Sequence, residues 1–158
     1  MIQGIHHTGL STPDLARALR FYCDLLGFEL LTRFEMPPGS PGMDEMLDLP
    51  GVGFSAALVR LGDTMIEIFE FSDPEPARAP ARRRVCDHGL THLCLQVDDV
   101  KAEYDRLSAA GMIFHCAPQD GSGARYVYGR DPDGNAIELI EFEGEHNPLA
   151  RPIVRSVV

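Results

Sequence analysis

The sequence predicts an α+β fold built as two tandem βαβββ modules. Two observations predict it. Shifted by 71 positions, GDTMIEIFEF (62–71) falls on DGNAIELIEF (133–142); shifted by 85, GIHHTGLSTPDL (4–15) falls on GLTHLCLQVDDV (89–100). Self-similarity of this kind marks a unit written twice. Each copy opens with a strand carrying a histidine, His7 or His92, and closes with a strand carrying a glutamate, Glu67 or Glu138.

The elements between follow in order. In the first module Pro13 and Asp14 begin a helix, Leu15, Leu19, Tyr22 and Leu26 recur at helical spacing, and Gly27 ends it. In the second, Asp98 or Asp99 caps a helix striped by Val100, Tyr104 and Leu107 and ended by Gly111. Three strands follow each helix: FELLTRF, FSAALVRL and TMIEIFEF in one module, MIFHCAP, ARYVYGRD and NAIELIEF in the other. The last hairpin turns on GD in the first and DPDG in the second. The modules span 1–72 and 89–143. The first carries a proline- and glycine-rich insertion over about 36–53, which accounts for the longer His7-to-Glu67 spacing. Residues 73–88 read as a linker and 144–158 as a C-terminal tail.

Strand alternation gives the chemistry. Met65, Glu67, Phe69 and Phe71 share one face, opposite Ile66, Ile68 and Glu70; Ala136, Glu138, Ile140 and Phe142 share another, opposite Ile137, Leu139 and Glu141. The Ile- and Leu-rich faces suit helix packing. The other faces leave Glu67 and Glu138 in apolar company, where a lone carboxylate is costly. On the opening strands His7 lies with Ile5 and Gly9, and His92 with Leu90 and Cys94. Two sheets facing each other would gather two imidazoles and two carboxylates, a donor set and charge that suit a divalent ion (Ni, Co, Zn, Mn or Fe). His6 alternates to the other side and reads as structural, with Thr91 at its equivalent. Glu70 and Glu141 read as solvated or salt-bridged.

Composition bounds the rest. The chain has 158 residues, 44% hydrophobic and 24% charged, an ordinary globular balance. A net charge of −10 argues against nucleic acid and anionic membrane surfaces as partners. The basic run ARRR at 81–84 reads as solvated linker. No run is long enough for a membrane span, and the start lacks a signal-peptide pattern. Four cysteines without C-x-x-C spacing read as reduced thiols of a cytoplasmic protein.

The segments IHHTGL, FYCDLLGFEL, IEIFEF, GLTHLCLQVDDV and DPDGNAIELIE together resemble the vicinal oxygen chelate superfamily, which includes glyoxalase I, methylmalonyl-CoA epimerase, extradiol dioxygenases and fosfomycin- and bleomycin-resistance proteins. The resemblance runs from about Ile5 to Phe142. It implies paired βαβββ modules whose sheets curl around a metal, with ligands at His7, Glu67, His92 and Glu138. Filling all four positions is similar to glyoxalase I. Unlike that enzyme, the chain follows Glu67 with FEFSDP rather than Thr-Tyr-Asn.

Three functions follow. The first is a metal-dependent lyase or isomerase that chelates a small substrate through vicinal oxygens and stabilises an enediolate or enolate. Glu138 is its first candidate base and Glu67 the second. The second is a non-haem Fe(II) dioxygenase of a catechol, with Tyr126, Tyr128 and His115 nearby. The third is a small-molecule binding or resistance protein. Phe69, Tyr128, Arg130 and His115 are candidate substrate contacts, and Arg125 a further cation. The insertion, with Met36, Met43 and Met46, reads either as an apolar lid or as a surface addition with its own small core. The apolar tail points to a homodimer. The sequence is compatible with a site made within one chain or between two.

Overall fold

A computed structural model of the chain describes residues 1–77, 83–144 and 147–151. The chain divides into two compact units, Met1–Ala79 and Pro80–Val158. Residues 81 and 82 of the basic run and 152–158 of the tail lie outside the described residues.

In the first unit, β1 (Thr8–Ser11) is followed by a helix, α1 (Leu15–Leu19), that continues as a π-helical turn over Arg20–Leu25. Then come β2 (Glu29–Met36), a short helix α2 (Met43–Leu47), β3 (Gly53–Leu61) and β4 (Thr64–Asp73). The sheet order is β1-β4-β3-β2, with β1 parallel to β4 and the other pairings antiparallel. The second unit repeats this: β5 (His92–Gln96), α3 (Val100–Ala109), β6 (Ile113–Phe114), β7 (Gln119–Gly121), β8 (Ala124–Arg130) and β9 (Ala136–Phe142). Its order is β5-β9-β8-β6, β5 lies parallel to β9, and β7 pairs with β8. Both sheets are mixed and open, so the α+β class and the doubled β-α-β-β-β order hold.

The alternation argument identifies the helix-covered faces. Ile66, Ile68, Ala57 and Val59 are buried in one unit, and Ile137, Leu139 and Val127 in the other, together with Leu15, Leu19, Val100 and Leu107 from the helices. Gly27 (φ 82°) and Gly111 (φ 94°) take the left-handed conformation that ends each helix.

Several expectations need correction. The first helix is not α-helical throughout. Its π turn carries an extra residue, so the adjacent Phe21 and Tyr22 are both buried, while Leu26 of the expected stripe is only half-buried. The expected strand MIFHCAP survives as two residues, because Pro118 cannot donate to a ladder, and a separate strand β7 resumes after it. The first strand begins at Thr8, one residue after His7. The insertion folds onto its own sheet. Val52, Phe54 and Ala56 are buried, with Met36, Met43, Leu49, Phe69 and Phe71 packed against them, whereas Met46 is 75% exposed. Part of the expected linker is ordered on the second unit, where Arg84 pairs with Asp87 at 2.7 Å and the carbonyl of Arg83 accepts from Arg130 at 2.9 Å.

Candidate metal centre

The two histidine–glutamate pairs form as the repeat implies, each within its own unit. His7 Nε2 lies 3.1 Å from Glu67 Oε2, and His92 Nε2 lies 3.0 Å from Glu138 Oε2. Strand pairing produces this. β1 runs parallel to β4 with Gly9 beside Glu67, and β5 runs parallel to β9 with Cys94 beside Glu138, so the residue two positions earlier reaches the carboxylate. Within either unit, among the described residues, no group of three His, Cys, Asp or Glu is placed to hold an ion. What each unit presents is one imidazole nitrogen and one carboxylate oxygen aimed at a common point, half of a four-donor set. That chemistry fits a divalent ion of borderline softness.

Each imidazole is gripped from behind. His6 Nδ1 is 2.8 Å from His7 Nδ1, with the rings edge to face at 5.1 Å, and Thr91 Oγ1 is 2.8 Å from His92 Nδ1. The expectation that His6 points away and is merely structural is corrected, because both residues precede β1 and strand alternation does not govern them. A partner on Nδ1 leaves Nε2 as the nitrogen directed at the carboxylate, the usual support of a metal-binding histidine. The signal was in the sequence: the residue before each histidine, His6 or Thr91, is polar and can bond a ring nitrogen.

The two glutamates differ in company. Glu138 accepts hydrogen bonds from the Tyr128 hydroxyl and the Cys94 thiol as well as contacting His92. Partial burial and then the adjacent Glu138 push the Cys94 thiol up to about 12, and the same two causes hold the Tyr128 phenol well above its ordinary value. At the positions equivalent to Cys94 and Tyr128, Gly9 and Leu58 stand beside Glu67 and offer no donor. The second pair is also less exposed, at 30% and 13% against 38% and 21% for the side chains of the first.

The candidate substrate contacts fall on these faces. Phe69 stacks on Phe71 (5.4 Å, 12°) and meets Phe54 at 5.2 Å. Tyr128 touches His92 edge to face at 5.2 Å and lies parallel to His115 at 6.5 Å. Arg130 donates to His115 Nε2 at 2.9 Å and to the carbonyls of Gly134 and Arg83 at 2.8 and 2.9 Å. Arg125 is paired with Asp120 at 2.6 Å. Both arginines are thus engaged by the protein itself.

Glu70 and Glu141 are corrected too. Their carboxylates accept from the first helical N–H of α1 (Leu15, 2.8 Å) and α3 (Val100, 2.9 Å). Glu141 keeps a distant contact with Arg125 at 3.9 Å.

A family profile described as Glyoxalase/Bleomycin resistance protein/Dioxygenase superfamily matches residues 4–139. The chain belongs to that superfamily. It is 33% identical over 146 residues to a 2-epi-5-epi-valiolone epimerase of an Actinomyces species, covering 87% of this chain and 79% of that one. It is 27% identical over 150 residues to the lactoylglutathione lyase of Neisseria meningitidis serogroup A, covering 91% and 94%. A glyoxalase-family protein of Bacillus cereus superposes with a TM-score of 0.82 at 20% identity, covering 91% of this chain and 97% of that one, a likeness of fold. Superfamily members commonly use a divalent metal, and these relatives are of the isomerase and lyase type. Among the described residues no helix is long and apolar enough to cross a membrane.

Proposed function

We propose that the protein is a metal-dependent isomerase of the epimerase type, acting on a small hydroxy-carbonyl compound with vicinal oxygens. The observation that carries this reading is the recurrence of one His–Glu pair, at 3.1 and 3.0 Å, at matched positions of a duplicated unit. The identity to the valiolone epimerase exceeds that to the lyase, which favours epimerisation over thioester chemistry.

His7, Glu67, His92 and Glu138 would hold one divalent ion, whether gathered from one chain or from two. When bound, such an ion supplies Lewis-acid polarisation of the substrate carbonyl. The chain's own residues do the rest. His6 and Thr91 fix the imidazole orientation. A carboxylate beside the carbonyl takes the proton from the adjacent carbon, and a proton returned to the opposite face of that carbon completes the inversion. The apolar wall of Phe54, Phe69 and Phe71 keeps bulk water from the Glu67 side.

The test is proton NMR in D₂O of protein loaded with Co²⁺ or Mn²⁺, given 2-epi-5-epi-valiolone and, separately, the hemithioacetal of methylglyoxal and glutathione. Metal-dependent deuterium entry beside the carbonyl of the first compound is expected, and His7→Ala and His92→Ala abolish it. Turnover of the hemithioacetal alone would make the protein a lyase. No exchange in either, with oxygen uptake on catechols after Fe²⁺ loading, would make it a dioxygenase.

A further inference from the structure

We infer that the two glutamates have different jobs: Glu138 is the fixed ligand, locked by Tyr128 as a positioning residue, and Glu67 is the carboxylate free to leave the ion and move the proton. The inference rests on the metal reading above and goes beyond it by breaking the symmetry of the site.

The duplication makes the comparison position by position. Glu138 faces Tyr128 across the antiparallel β8–β9 ladder and Cys94 across the parallel β5–β9 ladder. Both neighbours donate to its carboxylate, and His92 Nε2 approaches at 3.0 Å. Tyr128 also packs its ring edge to face on His92 at 5.2 Å, so one side chain braces both members of the pair. Behind it His115 lies parallel at 6.5 Å and is held by Arg130 at 2.9 Å, whose guanidinium is anchored on two backbone carbonyls. The brace therefore ends on backbone.

Glu67 occupies the same register in the other sheet, yet its ladder neighbours are Leu58 and Gly9. Among the described residues its one polar partner is His7. For Glu138 to swing toward a substrate it must give up an O–H and an S–H donor in a half-buried place, where an unmade hydrogen bond is expensive. Glu67 gives up none. Gly9 adds no side chain to obstruct the swing. A carboxylate that must bind an ion and then act on a proton needs that freedom, while a ligand that fixes the ion needs the reverse.

The test compares Tyr128→Phe, Glu67→Gln and Glu138→Gln in chelator-stripped, full-length protein. The readouts are divalent-metal affinity by competition with a chromophoric chelator, the visible spectrum of the Co²⁺-loaded form, and deuterium exchange. Tyr128→Phe, which keeps the ring and removes the O–H, is expected to weaken metal binding about 10-fold, in the range typical for losing an outer partner of a ligand, and to alter the Co²⁺ spectrum. Glu138→Gln is expected to lose more affinity than Glu67→Gln, and Glu67→Gln to lose exchange while still binding the ion. Equal loss of affinity in the two glutamate variants, or a Tyr128→Phe protein with wild-type affinity and spectrum, overturns the inference. If the wild-type protein binds no divalent ion, the metal reading itself falls. The inference is then decided by a thermal-unfolding double-mutant cycle of Tyr128→Phe and Glu138→Gln: coupled effects sustain the brace and additive effects overturn it.

Discussion

The carboxylate of Glu70 accepts a 2.8 Å hydrogen bond from the backbone N–H of Leu15, tying the last strand of the first unit to the start of its helix. Glu141 does the same for Val100 at 2.9 Å. Asp14 and Asp99 add the side-chain caps, accepting from Arg17 and Ala102 at 2.8 and 2.9 Å. Both helix N-termini thus have two of their free N–H groups satisfied by carboxylates, which also suit the positive end of the helix dipole.

Glu70 and Glu67 sit three residues apart on opposite faces of β4, and their substitution should separate stability from metal binding. Glu70→Ala is expected to cost about 1 kcal/mol in urea unfolding, the usual worth of a lost cap, with metal affinity unchanged. Glu141→Ala should match it. Wild-type unfolding curves for both variants would remove the capping role.

His6 and Thr91 should matter through the nitrogen they touch. His6→Ala and Thr91→Val are expected to lower divalent-metal affinity by roughly 10-fold each, as outer partners of ligating histidines do, with little change in unfolding of the metal-free protein. Isothermal titration with Co²⁺ reads the effect. Affinity equal to wild type in both would show the 2.8 Å contacts to be incidental.

Cys94 should be a quiet thiol. Cys86 and Cys116 are as exposed by class, so exposure alone would rank the three together. Partial desolvation and the neighbouring Glu138 raise Cys94 from the ordinary 9.0 to about 12. The thiolate is the reactive form, so at pH 8 alkylation of Cys94 by iodoacetamide in metal-free protein is expected to be slower than at the other two by roughly 100-fold or more. The sign for stability follows: a raised folded-state value favours the folded protein below pH 9, and that contribution is lost as pH climbs toward 12. Peptide mapping after a timed pulse checks the ranking, and equal labelling would contradict it.

Asp44 pins the insertion. It accepts from the N–H groups of Gly51 and Val52 at 2.6 and 3.1 Å and so seats Val52, which is fully buried, against Phe54. Asp44→Ala is expected to destabilise this segment by about 1–2 kcal/mol, the cost of leaving such groups unpaired, and to speed proteolysis between residues 36 and 53. An unchanged cleavage rate would mean the apolar contacts alone hold the segment.

Much of this protein is dictated by its sequence. Side-chain alternation with a period of two, read twice in IEIFEF and IELIEF, puts Glu67 and Glu138 opposite the helix-packing residues, and the structure repeats that division. The Asp caps and Gly27 and Gly111 are local signals, because a helix end is satisfied by residues a few positions away. Local pattern misled where the chain departs from regular geometry. A π turn changes which neighbours share a face, and Pro118 cuts a ladder that apolar content alone would continue. Tertiary structure alone decided what lies across the ladders. That Glu70 reaches Leu15, that Thr91 and His6 back the histidines, and that Tyr128 and Cys94 crowd Glu138 while Leu58 and Gly9 flank Glu67 all depend on register. Register is set by the packing of whole strands, so no window of sequence contains it.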